Sequence, residues 1–257
     1  MLGTIIGDIV GSVYEFKNCR TKEFAPFFHP EARYTDDTVC TIAVADALAS
    51  GQNPQDKLQQ WCQRYADNGG WGQKFALWIF EDNPKPYGSW GNGAAMRIAP
   101  VGMLAESEEQ ALEWSDTVTN ITHNHPDALD SARAVALAIH WARKKVDPSE
   151  IARRVQERFG YDMTMTPDQI RPHYVRTEKA ADSVPQAMVC ALQASSFEDS
   201  IRNAVSIGGD SDTIAAIAGG IAEALFGLPD DLAAIGWSYL PPDMKVVLVD
   251  FYSQVSF

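Results

Sequence analysis

The residues of this chain best suited to chemistry form two acidic clusters that lie far apart in the sequence. The first, Thr35-Asp36-Asp37-Thr38, leads directly into an alanine-rich segment, and so does the second, Gly208-Gly209-Asp210-Ser211-Asp212-Thr213. If the fold brings the two helix starts together, four carboxylates and two threonine hydroxyls converge on one point. Four carboxylates carry about four negative charges, which a compact site does not tolerate without cations nearby. The pattern therefore predicts a metal site.

Two divalent ions would neutralise the carboxylates of these clusters. Because every candidate ligand is an oxygen atom, the pattern favours a dinuclear Mg²⁺ or Mn²⁺ centre over zinc or copper. Helix capping is the alternative interpretation, since Ser, Thr and Asp side chains cap helix N-termini and the helix dipole favours carboxylates there. One cap needs one acceptor, however, and each cluster offers a surplus. Gly208 and Gly209 also let the backbone bend sharply before the second cluster.

The elements that would position these clusters read as helices along the whole chain. Capping residues, prolines and glycines predict helices over residues 53 to 68, 107 to 118, 126 to 145, 147 to 160, 184 to 194 and 196 to 207. The helix opened by the second acidic cluster closes at Gly227, and a last helix opens at Pro242. No strand series, internal repeat or low-complexity linker emerges. We therefore expect an all-α fold: a single compact domain of orthogonal helices over residues 1 to 257, with the dinuclear site at helix N-termini.

Composition excludes several classes of protein. The chain has 257 residues, of which 46% are hydrophobic, enough to bury a substantial core. Its formal charge of −13 argues against a nucleic-acid partner bound through a broad basic face. No apolar stretch is long enough for a membrane span, the start lacks the positive region of a secretory signal, and the four cysteines have no metal-type spacing. These features favour a cytoplasmic enzyme that needs neither nucleic acid nor membrane.

Several motifs, in the same order along the chain, resemble those of the ADP-ribosylglycohydrolase family. The resemblance rests on residues 7–16, 34–38, 89–100, 122–126, 182–185 and 208–220. It spans nearly the whole chain, and the order of the motifs makes it specific. Family members are all-helical, hold two Mg²⁺ or Mn²⁺ ions between such Asp clusters, and cleave the bond between ADP-ribose and its acceptor. The resemblance therefore implies a hydrolase of glycosyl bonds that acts on ADP-ribosylated proteins or on small molecules containing ADP-ribose.

The resemblance also assigns roles to individual residues. It implies metal ligation by six residues of the two clusters, namely Thr35, Asp36, Asp37, Asp210, Asp212 and Thr213. Glu15, at the edge of the metal site, is then the acid or base that remains free of the ions, and Asp36 and Asp212 complete the catalytic set. An ordinary surface carboxylate is the alternative interpretation of Glu15.

A loop with three glycines, Tyr87-Gly88-Ser89-Trp90-Gly91-Asn92-Gly93, lets backbone amides approach a phosphate closely. By resemblance, the residues that contact ADP-ribose are Gly88, Ser89, Trp90, Asn92 and His123. Trp90 would offer its face to the adenine, and plain core packing is the alternative. Arg97 is expected to hold the loop in place.

The histidines near the middle of the chain do not indicate a zinc site. His123 and His125 could ligate zinc by their spacing, but no third ligand of matching type is evident. We expect His125 to stand at the start of a helix and His140 to pack in the core. No Ser-His-Asp arrangement or activated cysteine supports a covalent hydrolase.

Two rival functions stay open at this point. A phosphoesterase could also use a dinuclear Mg²⁺ site, and a non-catalytic relative could bind ADP-ribose without turning it over. The acceptor is open too, because the family includes hydrolases of arginine and of serine linkages. We expect the acceptor side to involve the long connection over residues 15 to 34, whose length is typical of a lid or binding loop, and residues 67 to 71. Carboxylates and aromatics there, namely Glu15, Glu23, Glu31, Asp67 and Trp71, favour a cationic arginine acceptor.

Overall fold

Helices make up most of the chain in the computed structural model, which describes residues 1 to 255. The helices of this range are α1 Leu2–Gly11, α2 Asp36–Ser50, α3 Pro54–Arg64, α4 Gln73–Trp78, α5 Gly93–Met96, α6 Ala99–Leu104, α7 Glu108–Thr119, α8 Pro126–Arg143, α9 Pro148–Phe159, α10 Pro167–Ile170, α11 Ala180–Leu192, α12 Phe197–Ile207, α13 Ser211–Phe226, α14 Asp230–Ser238 and α15 Pro242–Gln254. No strand forms within residues 1 to 255, where Gly91 and Lys179 make an isolated bridge. The prediction of an all-α fold is confirmed.

The buried apolar side chains of the described residues form one connected cluster that extends from α1 to α15. The assignment of residues 1 to 257 to a single domain stays a prediction. Among the helices of residues 1 to 255, none has both the length and the apolar character that crossing a membrane would require.

Capping residues explain most of the helix boundaries. Ser107 accepts a hydrogen bond from the Gln110 amide at the start of α7, and Asp147 accepts one from Ser149 at the start of α9. Gly160 ends α9 with a φ of 73°, a left-handed conformation that glycine adopts without strain. These starts and stops agree with the sequence-based expectation.

Two predicted boundaries are wrong. The helix that starts at Pro54 ends at Arg64 rather than near residue 68, because the backbone tightens into a 3₁₀ turn over Ala66–Asn68. The helix predicted from Val184 starts four residues earlier, at Ala180, whose amide donates to the Trp90 carbonyl of a neighbouring loop. That tertiary contact supports a first turn that local sequence signals do not reveal. The helices α4, α5, α6, α10 and α14 were not predicted.

Close contact between α1 and α13 fixes the position of Asp8, the first acidic residue of the chain. Gly3, Gly7 and Gly11 recur at intervals of four residues and therefore lie along one face of α1. A Cβ atom at Gly7 would overlap the Ala215 carbonyl group of α13, and one at Gly219 would overlap the Gly3 carbonyl oxygen. Because the two backbones touch, Asp8 is held beside the N-terminus of α13.

The long connection between α1 and α2 is fastened along much of its length. Arg20 donates to the carbonyl oxygens of Arg171 and Tyr174, at 3.0 Å each. Arg202 donates to the Phe24 carbonyl oxygen at 2.9 Å, and its guanidinium lies over the Phe24 ring. These contacts anchor the middle of the connection to α12 and to the segment after α10, so the part that reaches the acidic site is its beginning, around Glu15.

Candidate active site

The fold brings the starts of α2 and α13 together and adds two acidic residues from the beginning of the chain. Carboxylate oxygens of Asp8, Asp37 and Asp212 lie within 4.8 Å of one another, and so do those of Glu15, Asp210 and Asp212. Asp212 belongs to both groups, which therefore form one continuous acidic site. Within this site Glu15 is half-buried and the other four residues are buried.

Asp8 is a member of the site that the sequence reasoning missed. Its carboxylate accepts hydrogen bonds from the Thr35 amide at 2.8 Å, the Thr35 hydroxyl at 2.7 Å and the Thr38 amide at 3.1 Å. Burial nevertheless raises the pKa of Asp8 to about 6. Asp8 thus ties the start of α2 to α1. Its sequence signal is its place between Gly7 and Gly11 on a helix that touches α13.

The carboxylates of the site oppose one another's ionisation. Burial is the largest cause that raises the pKa of Asp37 well above its usual range, followed by repulsion from Asp212. Burial and then repulsion from Asp210 do the same to the pKa of Asp212. The Oδ1 atom of Asp37 is buried without a hydrogen-bond partner among the described residues. Buried carboxylates with unsatisfied oxygens fit a hard divalent cation, so these residues could hold a metal ion.

The remaining cluster residues occupy different places. The Thr213 hydroxyl donates to Asp37 Oδ2 at 3.3 Å, and the Thr35 hydroxyl lies 3.5 Å from the same oxygen. Asp36 lies outside both carboxylate groups. It is half-buried, its Oδ1 faces Gly70, and burial followed by repulsion from Asp8 raises its pKa to about 8.

The glycine loop is attached directly to the acidic site. Asn92 Nδ2 donates to Asp210 Oδ2 at 2.7 Å, and the Asn92 amide donates to the Glu178 carbonyl oxygen at 2.8 Å. The Gly88 amide donates to Asn124 Oδ1 at 2.7 Å, which fixes the other end. Ser89 Oγ accepts from the Gly91 amide at 3.3 Å. These contacts hold the loop in one conformation at the edge of the carboxylates.

Trp90 projects from this loop and is 49% exposed. The core-packing interpretation of Trp90 is therefore wrong. An exposed indole on a loop fixed at both ends is available to stack on a planar ligand.

His123 lies beneath the loop and is buried. Its Nδ1 lies 2.7 Å from the Thr122 hydroxyl, and its Nε2 faces the loop, 3.2 Å from where a Cβ atom at Gly93 would stand. Burial and then the nearby Arg97 guanidinium lower the pKa of His123 well below its usual range, so the ring is neutral. Arg97 donates to the Thr122 hydroxyl at 2.6 Å and supports the loop, as expected.

His125 and His140 behave as the sequence indicates. His125 caps α8, because its Nδ1 accepts a hydrogen bond from the Asp127 amide at 3.2 Å. His140 is buried, with Nδ1 3.0 Å from the Ala105 carbonyl oxygen.

Arg176 is the second residue that sequence reasoning missed. Its guanidinium lies 2.5 Å from Glu15 Oε1 and 3.4 Å from Asp210 Oδ1. Burial raises the pKa of Glu15, and repulsion from Asp210 adds to this, whereas the ion pair with Arg176 opposes it. Nothing in the sequence around position 176 forms a recognisable motif, so only the fold reveals this contact.

A profile of the ADP-ribosylglycohydrolases matches residues 1 to 235. The chain belongs to the ADP-ribosylglycohydrolase family. Its enzymatic class is therefore that of a hydrolase of glycosyl bonds which removes ADP-ribose from modified proteins. The matched range contains both acidic clusters and the glycine loop, together with Asp8 and Arg176.

Relatives of this ADP-ribosylglycohydrolase differ in what their names say about the acceptor. The ADP-ribosylarginine hydrolase Tri1 of Pseudomonas putida is 28% identical over 99% of this chain and 78% of its own length. The ADP-ribosyl-dinitrogen reductase glycohydrolase of Rhodospirillum rubrum is 28% identical over 95% of this chain and 89% of its own. The ADP-ribosylhydrolase ARH3 of Mus musculus is 25% identical over 89% of this chain and 83% of its own.

A solved structure, an ADP-ribosylglycohydrolase-related protein complex, superposes on this chain with a TM-score of 0.74. The sequences are 20% identical, and the match covers 98% of this chain and 95% of the other. At this level of identity the likeness supports the ADP-ribosylglycohydrolase fold alone.

Proposed function

We propose that this protein hydrolyses the bond between ADP-ribose and an arginine side chain of a modified protein. The observation that carries the proposal is the single acidic site at the starts of α2 and α13, joined through Asn92 to a fixed glycine loop. The carboxylates of the acidic site suit cations and sugar hydroxyls. The glycine loop, with Trp90, suits a pyrophosphate and an adenine. A relative of similar extent, Tri1, is named for the arginine linkage.

The proposal includes two Mg²⁺ or Mn²⁺ ions as cofactors. The residues that would hold them are Thr35, Asp36, Asp37, Asp210, Asp212 and Thr213. When bound, such ions supply Lewis acidity toward ribose and water oxygens. Asp8 accepts several hydrogen bonds from Thr35 and Thr38, so its part is to position the start of α2.

Glu15 is the proposed acid or base of the reaction, and Asp36 and Asp212 complete the proposed catalytic set. Glycosidases use two carboxylates, of which one protonates the leaving group and the other activates water or attacks. Because burial raises the pKa of Glu15, its carboxyl group retains a proton to a higher pH than an exposed glutamate. An ionised Glu15 can accept a proton from the attacking water and then donate it to the guanidine nitrogen that leaves.

The proposed ADP-ribose contacts are Gly88, Ser89, Trp90, Asn92 and His123. Glycines 88, 91 and 93 leave room for close approach of a phosphate to the backbone. The neutral His123 ring can donate or accept a hydrogen bond without adding charge. Trp90 provides the exposed flat surface for adenine.

Trp90→Ala is expected to weaken ADP-ribose binding by roughly 5- to 100-fold, since stacking of a base on an aromatic side chain contributes about 1–3 kcal/mol. The rate at saturating substrate should change much less, because the adenine is remote from the bond that breaks. Calorimetric titration with ADP-ribose measures the affinity. Phe226→Ala is the control, because Phe226 is also exposed but ends α13 at the opposite end from the acidic site. Unchanged affinity in Trp90→Ala would remove the residue from the binding site.

The arginine linkage is tested by parallel release assays on two peptides that carry ADP-ribose on arginine or on serine. We expect faster release from arginine, because the carboxylates and aromatic side chains expected on the acceptor side suit a cationic, planar guanidinium. Mass spectrometry of the released nucleotide also separates the other hypotheses. Faster release from serine would establish an O-linked hydrolase, AMP would indicate a phosphoesterase, and tight ADP-ribose binding without release would indicate a non-catalytic relative.

The cellular setting of this activity rests on sequence features. A cytoplasmic location, and activity that requires neither nucleic acid nor membrane, stay predictions.

A further inference from the structure

A guanidinium group already lies beside Glu15 at the edge of the acidic site, and it belongs to Arg176. Besides its contacts with Glu15 and Asp210, the Arg176 guanidinium stands over the Phe16 ring, with Cζ 4.8 Å from the ring centroid. Glu178 Oε1 lies 4.0 Å from Nη2 of the same guanidinium. A carboxylate in the plane and an aromatic ring on the face are the two partners that a planar guanidinium prefers.

Arg176 differs from the arginines that fasten this fold. Arg20 and Arg202 donate to backbone carbonyl oxygens of distant segments. Among the described residues, the hydrogen bonds of Arg176 go to the carboxylates of Glu15 and Asp210. Its contacts are thus those of a cation in a binding site and do not tie two pieces of backbone together.

The surroundings of Arg176 also leave it free to withdraw. Its side chain is 38% exposed and the Phe16 ring beneath it is 78% exposed. The segment that carries Arg176 lies between α10 and α11 and has no helical hydrogen bonds at residues 175 to 178. Turning the side chain toward solvent would expose little apolar surface and leave no buried donor unsatisfied.

We propose that Glu15 and Phe16 form the subsite for the guanidinium group of the acceptor and that Arg176 occupies this subsite until substrate displaces it. The inference rests on the proposed arginine-linkage function and adds the residues that recognise the acceptor. Arg176 is then a specificity-determining residue, because an acceptor must compete with a guanidinium that is already bound. A cationic, planar acceptor replaces the lost contacts, whereas a serine hydroxyl does not.

Competition between Arg176 and a guanidinium ligand should weaken the ligand's binding by a measurable factor. A ligand whose site is free only part of the time binds more weakly in proportion to the free fraction. A partly exposed ion pair together with an exposed cation–π contact would leave the subsite free about a tenth of the time. Removing Arg176 should therefore strengthen binding of a free guanidinium compound about tenfold.

Calorimetric titration in Mg²⁺ buffer tests this with two probes of equal charge, agmatine, which carries a guanidinium, and cadaverine, which carries ammonium groups only. We expect Arg176→Ala to bind agmatine about tenfold more tightly than the wild type, with a much smaller change for cadaverine. Adding Phe16→Leu to this variant should reverse most of the gain. Arg153→Ala is the matched control and should leave both affinities unchanged, because within residues 1 to 255 Arg153 pairs with carboxylates of its own helix α9.

Kinetics on the arginine-linked peptide give a second readout, in which Arg176→Ala lowers KM with little change in kcat. Equal gains for agmatine and cadaverine would mean that only the general negative potential had increased, and would overturn the subsite. Unchanged agmatine affinity together with an unchanged or raised KM would overturn it too. These outcomes leave the hydrolase proposal standing as long as the wild type releases ADP-ribose. If the wild type releases none, the proposed function fails, while the agmatine titration still decides whether the subsite exists.

Discussion

Asp212→Asn is expected to lower ADP-ribose release at least about 100-fold while making the protein more resistant to heat in the absence of divalent cations. Activity is lost because Asp212 belongs to both carboxylate groups and would help to hold the ions. Stability rises because the raised pKa of this buried group shows that its ionised form destabilises the fold near neutral pH. Asparagine keeps the shape of the side chain and removes the repulsion.

The size of the stability change can be estimated from the length of the chain. A gain of about 1 kcal/mol corresponds to about 2–4 °C in the melting temperature of a protein of this size. Asp37→Asn should behave in the same way, since burial and repulsion from Asp212 also raise the pKa of Asp37. Differential scanning fluorimetry in the presence of a chelator measures the shift.

When Mg²⁺ or Mn²⁺ is added, the wild type should instead have a higher melting temperature than the two variants. The wild type gains stability when the ions bind to the folded state, and both variants lose most of that gain. Asp56→Asn is the control, because Asp56 is exposed on α3 and its loss changes the net charge equally. Full hydrolysis by either variant, or by the wild type in excess chelator, would disprove a metal-dependent reaction.

The sequence could predict those parts of the site whose signal is local. Thr35 and Asp37 stand directly before and within the first turn of a helix, where capping preferences and the helix dipole make acidic clusters conspicuous. The glycine loop could be predicted as well, because its three glycines alone indicate that a phosphate can approach the backbone closely. The same local rules predicted the boundaries of α7, α9 and α12 well.

Residues whose place depends on tertiary contact could not be found in that way. Asp8 is one acidic residue inside an apolar helix, and it joins the site because glycines let α1 touch α13. Arg176 follows no motif and reaches Glu15 across 161 positions of sequence. The early start of α11 has a similar origin, since the amide of Ala180 finds its acceptor in the Trp90 loop.

The contact between α1 and α13 predicts that enlarging a glycine of α1 will strongly lower the stability of the protein. In an exposed helix, changing glycine to alanine stabilises the fold by about 1 kcal/mol, because alanine has the better helix propensity. Gly7 lies inside α1, so propensity alone predicts a gain. The Cβ atom of alanine would overlap the Ala215 carbonyl group, however, and backbone atoms of a buried helix cannot move aside as a flexible side chain can.

We therefore expect Gly7→Ala to destabilise the protein by about 3 kcal/mol, the upper end of the usual range for overpacking, and to lower its melting temperature by about 6–12 °C. The separation of α1 from α13 also moves Asp8 away from Asp37 and Asp212, so the stabilisation by Mg²⁺ should shrink in the same variant. Thermal denaturation with and without Mg²⁺ measures both effects. Gly72→Ala is the control, since a Cβ atom there meets nothing within 4 Å. If Gly7→Ala raises the melting temperature, helix propensity outweighs the contact, and direct backbone packing is not what holds Asp8 in the site.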